Sequence, residues 1–301
     1  MMPDSGRYLV DAHHHFQDIE TYDYPWLKPD RPQALEGDLS AIRRNFLPDE
    51  YREIVSGWPV RKSVHVQNGW RADDPVGETR WLSSLIEAHD LPMVIVGYAD
   101  LAAPTLAETL RGHLAYPQVR GIRQILNWHE DLSLRVAATA DVMEMPDWRR
   151  GFANLADHGL SFDLQIYWPQ MEMALELAQD FPGTQIILDH FGMPIDRSTA
   201  ALRHWMTAIY QLASAENVSV KLSGFGLGHP HWSRSDTVPL LQSVIRAFGA
   251  ERVMFGSNLP VDLLFSKAQR IVEAFEAAIR FLSEEDKSKV RHGNAERVYR
   301  F

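Results

Sequence analysis

His13 and His15 stand two apart in the run Tyr-Leu-Val-Asp-Ala-His-His-His-Phe, residues 8–16. The run reads as a short apolar strand that ends in histidines, and side chains at i and i+2 of a strand share a face. Both imidazoles then look into one space, where neutral ring nitrogens hold a divalent metal or polarise a carbonyl. A tag remnant is the plain alternative, but a tag is a longer run at a terminus with no strand around it. His14 should face the opposite way and pack.

Other chemically capable residues also stand at the ends of apolar runs. They are His65 and Gln67, Tyr98 and Asp100, Arg123 and Gln124 followed by Asn127 and His129, and the alternating set Asp163, Gln165 and Tyr167. Further along come Asp189-His190, then Lys221 with Ser223, then Gly256-Ser257-Asn258-Leu-Pro-Val-Asp262. Asp189 and His190 are strand neighbours, so only one is expected to face inward, and His190 is the expected one. Arg123 lies on an apolar strand, where an unpaired guanidinium is costly. It therefore needs an anion, either an internal carboxylate or a substrate carboxylate gripped by two parallel hydrogen bonds. Lys221 follows the same logic, with a metal or a neighbouring acid as further partners. Asp163 reads first as a backbone-bonding residue, and Trp70 and Tyr98 read as packing or pocket wall.

Eight β-rich runs must position these groups: 8–15, 62–67, 93–99, 119–126, 161–167, 185–190, 218–223 and 252–257. Helical periodicity fills the intervals 76–88, 105–114, 148–158, 171–180, 199–215, 240–248 and 267–281. This alternation predicts an α/β fold, a (β/α)8 TIM barrel, as one domain over residues 1–301 with the first βα unit enlarged by a loop and a helix near 20–57. A doubly wound open sheet is second, weakened because no glycine-rich phosphate loop follows any strand. In a barrel, catalytic groups belong at the C-terminal ends of the strands, where the polar residues above fall.

Composition narrows the partners. The chain has 301 residues, is 45% hydrophobic and carries a formal charge of −10. It has no Lys/Arg-rich run to neutralise a row of phosphates, so a small-molecule substrate is expected and nucleic acid is not. There are no cysteines, which excludes disulfides, thiolate ligands and a cysteine nucleophile. The start lacks the basic and apolar regions of a signal peptide, and no stretch approaches the roughly 18 apolar residues of a membrane span, so a cytoplasmic location without membrane contact is expected. Oligomeric state stays open, a homo-oligomer included.

Several segments together resemble the amidohydrolase-2 branch of the amidohydrolase superfamily, above all its lactonase-like group of fuconolactone and 2-pyrone-4,6-dicarboxylate lactonases. They are DAHHHF followed by YPWL at Tyr24 to Leu27, DPVGETRWL around Glu78, VRGIRQIL around Arg123, ILDHFGMP around His190, VKLSG at Lys221, MFGSNLPVD, and the tail NAERVYRF. The resemblance covers nearly the whole chain and rests on the order of the segments. It implies a hydrolase that opens a small lactone, metal-dependent or metal-independent, with zinc the usual ion in relatives that use one. It makes His13, His15 and His190 metal ligands or carbonyl-polarising groups. Arg123, with Tyr167 and Gln67, would orient a substrate carboxylate or hydroxyls, and Trp26 and Trp168 would form walls.

One departure stands out. Where many relatives carry an aspartate after the eighth strand to accept the proton of the attacking water, this chain has Asn258. An amide has no useful basicity. A metal could activate the water alone, Asp262 could reach in from the loop, or the chemistry could differ. The expected activity is hydrolysis of a carboxylate- or hydroxyl-bearing lactone from sugar or aromatic catabolism. Nonoxidative decarboxylation and a non-catalytic metabolite-binding barrel are the alternatives. Substrate choice is expected to lie in the loops 18–33 and 129–145.

Overall fold

The structure, a computed structural model, describes residues 7–31 and 34–301. The N-terminal residues read for a signal sequence and the end of the loop at 32–33 fall outside the described residues, entirely or in part. The strands are β1 (Leu9–His14), β2 (Val60–Val66), β3 (Met93–Tyr98), β4 (Val119–Ile125), β5 (Ser161–Gln165), β6 (Ile186–Leu188), β7 (Val218–Leu222) and β8 (Val253–Phe255). They pair in sequence order, every neighbouring pair parallel, in the eight-stranded sheet of a (β/α)8 barrel. The helices between them are α1 (Pro48–Val55), α2 (Gly77–His89), α3 (Leu106–Leu114), α4 (Pro146–Asp157), α5 (Met171–Asp180), α6 (Thr199–Leu212) and α7 (Arg234–Phe248). After β8 come α8 (Ala268–Ala278), α9 (Glu284–Ser288) and α10 (Asn294–Tyr299).

Each expected strand and helix is present, with shifted ends. α7 starts six residues before the expected Leu240, because Ser233 and Asp236 form a reciprocal capping box that starts the helix ahead of Pro239. Strands β6 and β8 are three residues long, shorter than expected, because the chain turns into the loops that carry Asp189, His190 and Asn258.

Alternation along the strands divides the core in two. Outward residues such as Ile122, Phe162, Leu164, Leu188, Val220 and Phe255 pack with the helices in the main apolar cluster. Each such fully buried side chain contributes about 1.5–3 kcal/mol. Inward residues Val10, Ala12, Val64, Val66, Val94, Val96, Ile187 and Met254 fill the barrel and meet Ala295, Val298 and Tyr299 of α10. The barrel closes between β1 and the chain just beyond β8. Asn258 N–H donates to the His13 carbonyl at 2.7 Å and His15 N–H to the Leu259 carbonyl at 2.7 Å. Asp11 accepts from Ser257 N–H at 2.8 Å and from its hydroxyl at 2.7 Å. Among the described residues, no helix is long and apolar enough to cross a membrane.

Candidate active site

Strict alternation would put Asp11, His13 and His15 on one face, yet Val10 and Ala12 belong to the inner cluster. A bulge between Asp11 and His14 inserts one residue and flips the parity. Asp11 therefore faces outward to the Tyr51 hydroxyl, 2.8 Å away, while His13 faces inward. Gly256 makes this possible, since a Cβ there would lie 2.7 Å from the His13 Cβ. At β6 the expectation of one inward residue is corrected. Ile187 is inside, so alternation puts Asp189 inside, and its carboxylate lies 3.3 Å from His13 Nδ1. His190 also turns in, because its φ of 52° takes it out of the strand conformation. Gly224 leaves room for that ring, where a Cβ would stand 2.6 Å from Nδ1.

The three imidazoles are buried and close together. The His13 ring lies 5.0 Å from that of His15 and 4.6 Å from that of His190, centroid to centroid. His15 Nδ1–H donates to the Val66 carbonyl at 2.7 Å, which leaves Nε2 bare. His190 Nδ1 is 2.9 Å from Ser223 Oγ. Burial pushes all three below the ordinary histidine range, His190 to about 3, so they are neutral at pH 7. His13 Nε2 is buried without a hydrogen-bond partner.

Beneath them runs a column of buried charge. The Tyr299 hydroxyl donates to Asp163 at 3.0 Å, and Lys221 Nζ lies 2.5 Å from Asp163, 3.1 Å from Asp189 and 3.2 Å from His13 Nδ1. Arg123 Nη1 donates to Gln165 Oε1 at 2.9 Å and stands 3.5 Å from Asp189, and Nη2 donates to the Gln67 carbonyl. Its buried Nε has no partner. Burial raises both carboxyl groups. At Asp189 the Lys221 ammonium, with the His13 and His190 rings beside it, outweighs burial and holds the group well below the usual carboxylate range, while Asp163 is raised to about 6.

Above the histidines opens a cavity of about 290 Å³, lined by His15, His190, Arg123, Asn258, Trp26 and Tyr167, with Asn68, Asn127 and Gln165 among the others. Several residues expected at the site stand off this lining, His13 among them, buried against the rings of His15 and His190. Lys221 lies below in the charge column. Asp262 sits behind Asn258, accepting from its Nδ2 at 2.7 Å. Gln67 follows the inward Val66, so its side chain turns to an adjacent cleft and accepts from Gly69 N–H at 2.8 Å. His65 lies between the inward Val64 and Val66 and packs outside against His14 and Phe16. Trp168 is also outside the lining and stacks near His204. Tyr167 donates its hydroxyl to the Leu134 carbonyl at 2.8 Å, and Trp26 its Nε1 to the Asn68 carbonyl at 2.6 Å. Asp189 and Tyr299 had no place in the sequence-based site. Taking His190 as the inward member of the pair points Asp189 away, whereas alternation from the inward Ile187 brings Asp189 in, and Tyr299 gives no local signal.

The donor set fits a divalent ion. His13, Asp189 and His190 each offer a ligand atom, all within 4.8 Å of one another. His13 Nε2 lacks a partner, and His15 and His190 have their other ring nitrogen tied off in the way that orients metal-binding imidazoles.

An eight-stranded barrel with histidines at the C-terminal end of its first strand defines the class, and sequence comparison names it. Residues 10–301 match the amidohydrolase family, and the chain belongs to it. It is 40% identical to an uncharacterized protein, y4mH, of Sinorhizobium fredii, over 97% of this chain and 98% of that one. It is 29% identical to an L-fucono-1,5-lactonase of Burkholderia multivorans, over 98% and 96% of the two chains. The crystal structure of a Burkholderia multivorans amidohydrolase with bound zinc superposes with a TM-score of 0.81 at 26% identity, covering 98% of this chain and 99% of that one.

Proposed function

We propose that this amidohydrolase-family enzyme opens a small lactone bearing hydroxyls or a carboxylate. The observation that carries the reading is the meeting of His15, His190 and Arg123 on the wall of one cavity of about 290 Å³, a volume at the lower end for small-molecule sites. Similarity to L-fucono-1,5-lactonases supports the bond type.

The lactone lies against Trp26 and Tyr167, its hydroxyls or carboxylate toward Arg123, Asn127 and Gln165 and its carbonyl toward the imidazoles. Water adds to the carbonyl carbon and the C–O bond to the ring oxygen breaks. The proton lost by the water ends on the released hydroxyl. Charge developing on the carbonyl oxygen is met by the histidine cluster, in a site where preorganised donors act strongly. Asn258 cannot take the proton and Asp262 does not reach the cavity, so the bare Nε2 of His15 is the acceptor facing the substrate. His13, Asp189 and His190 would hold a divalent ion such as zinc, which when bound polarises a carbonyl and lowers the pKa of water to about 7.

The test is a screen of aldonolactones and carboxylated lactones by proton release, before and after chelation, with elemental analysis of the protein. Ring opening is expected, with Arg123→Ala raising KM about tenfold or more, the size of a lost charge-assisted hydrogen bond. Carbon dioxide released from an aromatic acid, with no lactone opened, would establish a decarboxylase instead. Binding without turnover, with turnover appearing in Asn258→Asp, would establish a binding barrel.

A further inference from the structure

Lys221 is fully buried, lies outside the cavity and touches no substrate position, yet it reaches His13, whose Nε2 is buried without a hydrogen-bond partner. Two groups compete for His13 Nδ1. Lys221 Nζ, a donor only, stands 3.2 Å away in hydrogen-bonding geometry. Asp189 Oδ1, an acceptor only, stands 3.3 Å away, but neither Asp189 oxygen accepts an aligned hydrogen bond. The choice matters, because a neutral imidazole carries one proton. If Asp189 accepts from Nδ1–H, Nε2 is bare and can bind a metal. If Lys221 donates to Nδ1, the proton is on Nε2 and His13 can only donate there.

We propose that Lys221 is a positioning residue that, while no ion is bound, fixes His13 as the Nε2–H tautomer, a hydrogen-bond donor beside His15 and His190. His15, held by the Val66 carbonyl, is the opposite tautomer. The two rings, 5.0 Å apart, then carry one donor and one acceptor, with His15 on the cavity wall and His13 buried beside it. The inference rests on the proposed role of the imidazoles but not on any particular lactone. It also sets metal affinity, since an ion at His13 must move the proton to Nδ1 and break the contact with Lys221, whose ammonium repels it.

The test is ¹⁵N spectroscopy of histidine-labelled protein, with the His13 signal assigned by its loss in His13→Gln, and zinc titration against a chromophoric chelator. Wild-type His13 should show a protonated Nε2. In Lys221→Met it should switch to Nδ1–H, with zinc bound about tenfold or more tighter. Lys221→Met leaves Asp163 and Asp189 buried without their ammonium and can fail to fold. Lys221→Met with Asp163→Asn removes one charge of each sign and should show the same switch. A wild-type His13 protonated on Nδ1, or a folded variant with tautomer and zinc affinity unchanged, would overturn the proposal. A lactone screen without hits would leave both readouts intact, so failure of the proposed reaction is distinguishable.

Discussion

The two faces of β1 carry the same residue types to opposite ends. Inward, His13 and His15 have Nδ1 engaged by Lys221 and by the Val66 carbonyl, beside a lattice of buried charge. Outward, His14 stacks on Tyr51 at 4.5 Å between ring centroids, edge-on to Phe16 and His65, and neither ring nitrogen has a hydrogen-bond partner. Burial depresses both sets, so charge state does not separate them. The difference is the second nitrogen. An imidazole tied at one nitrogen presents the other in a fixed direction and tautomer, whereas one wedged among rings is a flat apolar filler.

Aromatic replacement tests this contrast most directly. His13→Phe and His190→Ala should each lower kcat by about 10²–10³-fold, the usual cost of losing a preorganised group beside a developing oxyanion. His14→Phe should leave kcat unchanged in the same assay, and its stability should stay within about 1 kcal/mol, because a buried polar pair of atoms without partners is exchanged for carbon. A His14→Phe enzyme as inactive as His13→Phe would erase the distinction between the faces.

Asp11 sharpens the outward side. Its carboxylate accepts from Ser257 N–H and hydroxyl and from Tyr51, with His13 N–H at 3.3 Å, so it ties β1 to the chain after β8 and to α1. Asp11→Ala strands these buried donors and should cost about 3 kcal/mol or more in urea unfolding. Any fall in activity should track the fraction unfolded. A fully stable Asp11→Ala with reduced kcat would instead move Asp11 into the active machinery.

The barrel was legible because its signals are local: eight apolar runs at βα spacing, each ending in polar residues, and a histidine pair two apart. His13, His15, His190 and Arg123 were identified as candidates, and the structure brings them together. What the sequence concealed depends on breaks in alternation and on distant partners. The bulge in β1 separates Asp11 from His13, and the left-handed backbone at His190 lets Asp189 and His190 both face inward. The column Tyr299–Asp163–Lys221 joins β5, β7 and the last helix, α10, across the barrel, so no window of sequence contains it. Gln67 stands off the cavity by parity, since Val66 is the inward neighbour, and lines the adjacent cleft.

Asp262, the acid behind Asn258, extends the comparison from histidines to carboxylates. Asp189 faces two cations and stays ionised, whereas Asp262 is buried with no cation against it, accepting from Asn258 Nδ2 and the Gly226 and Phe225 N–H groups, and burial raises it to about 7. Between the ordinary carboxylate value and about 7 the folded protein keeps a proton that the unfolded chain has released. Asp262 therefore withdraws stability as pH rises across that window, and adds nothing further above it. Asp262→Asn should remove this slope, because Asn258 can turn its amide to meet the new side chain. Thermal unfolding at pH 4 and pH 8 should show wild type and variant close at pH 4. At pH 8 the variant should be more stable, by about 4 kcal/mol at most, the size of a three-unit displacement. An Asp262→Asn protein that keeps the wild-type pH slope would mean that Asp262 is ionised in place. The amide at Asn258 would then be a donor to a carboxylate rather than a neighbour of a neutral acid.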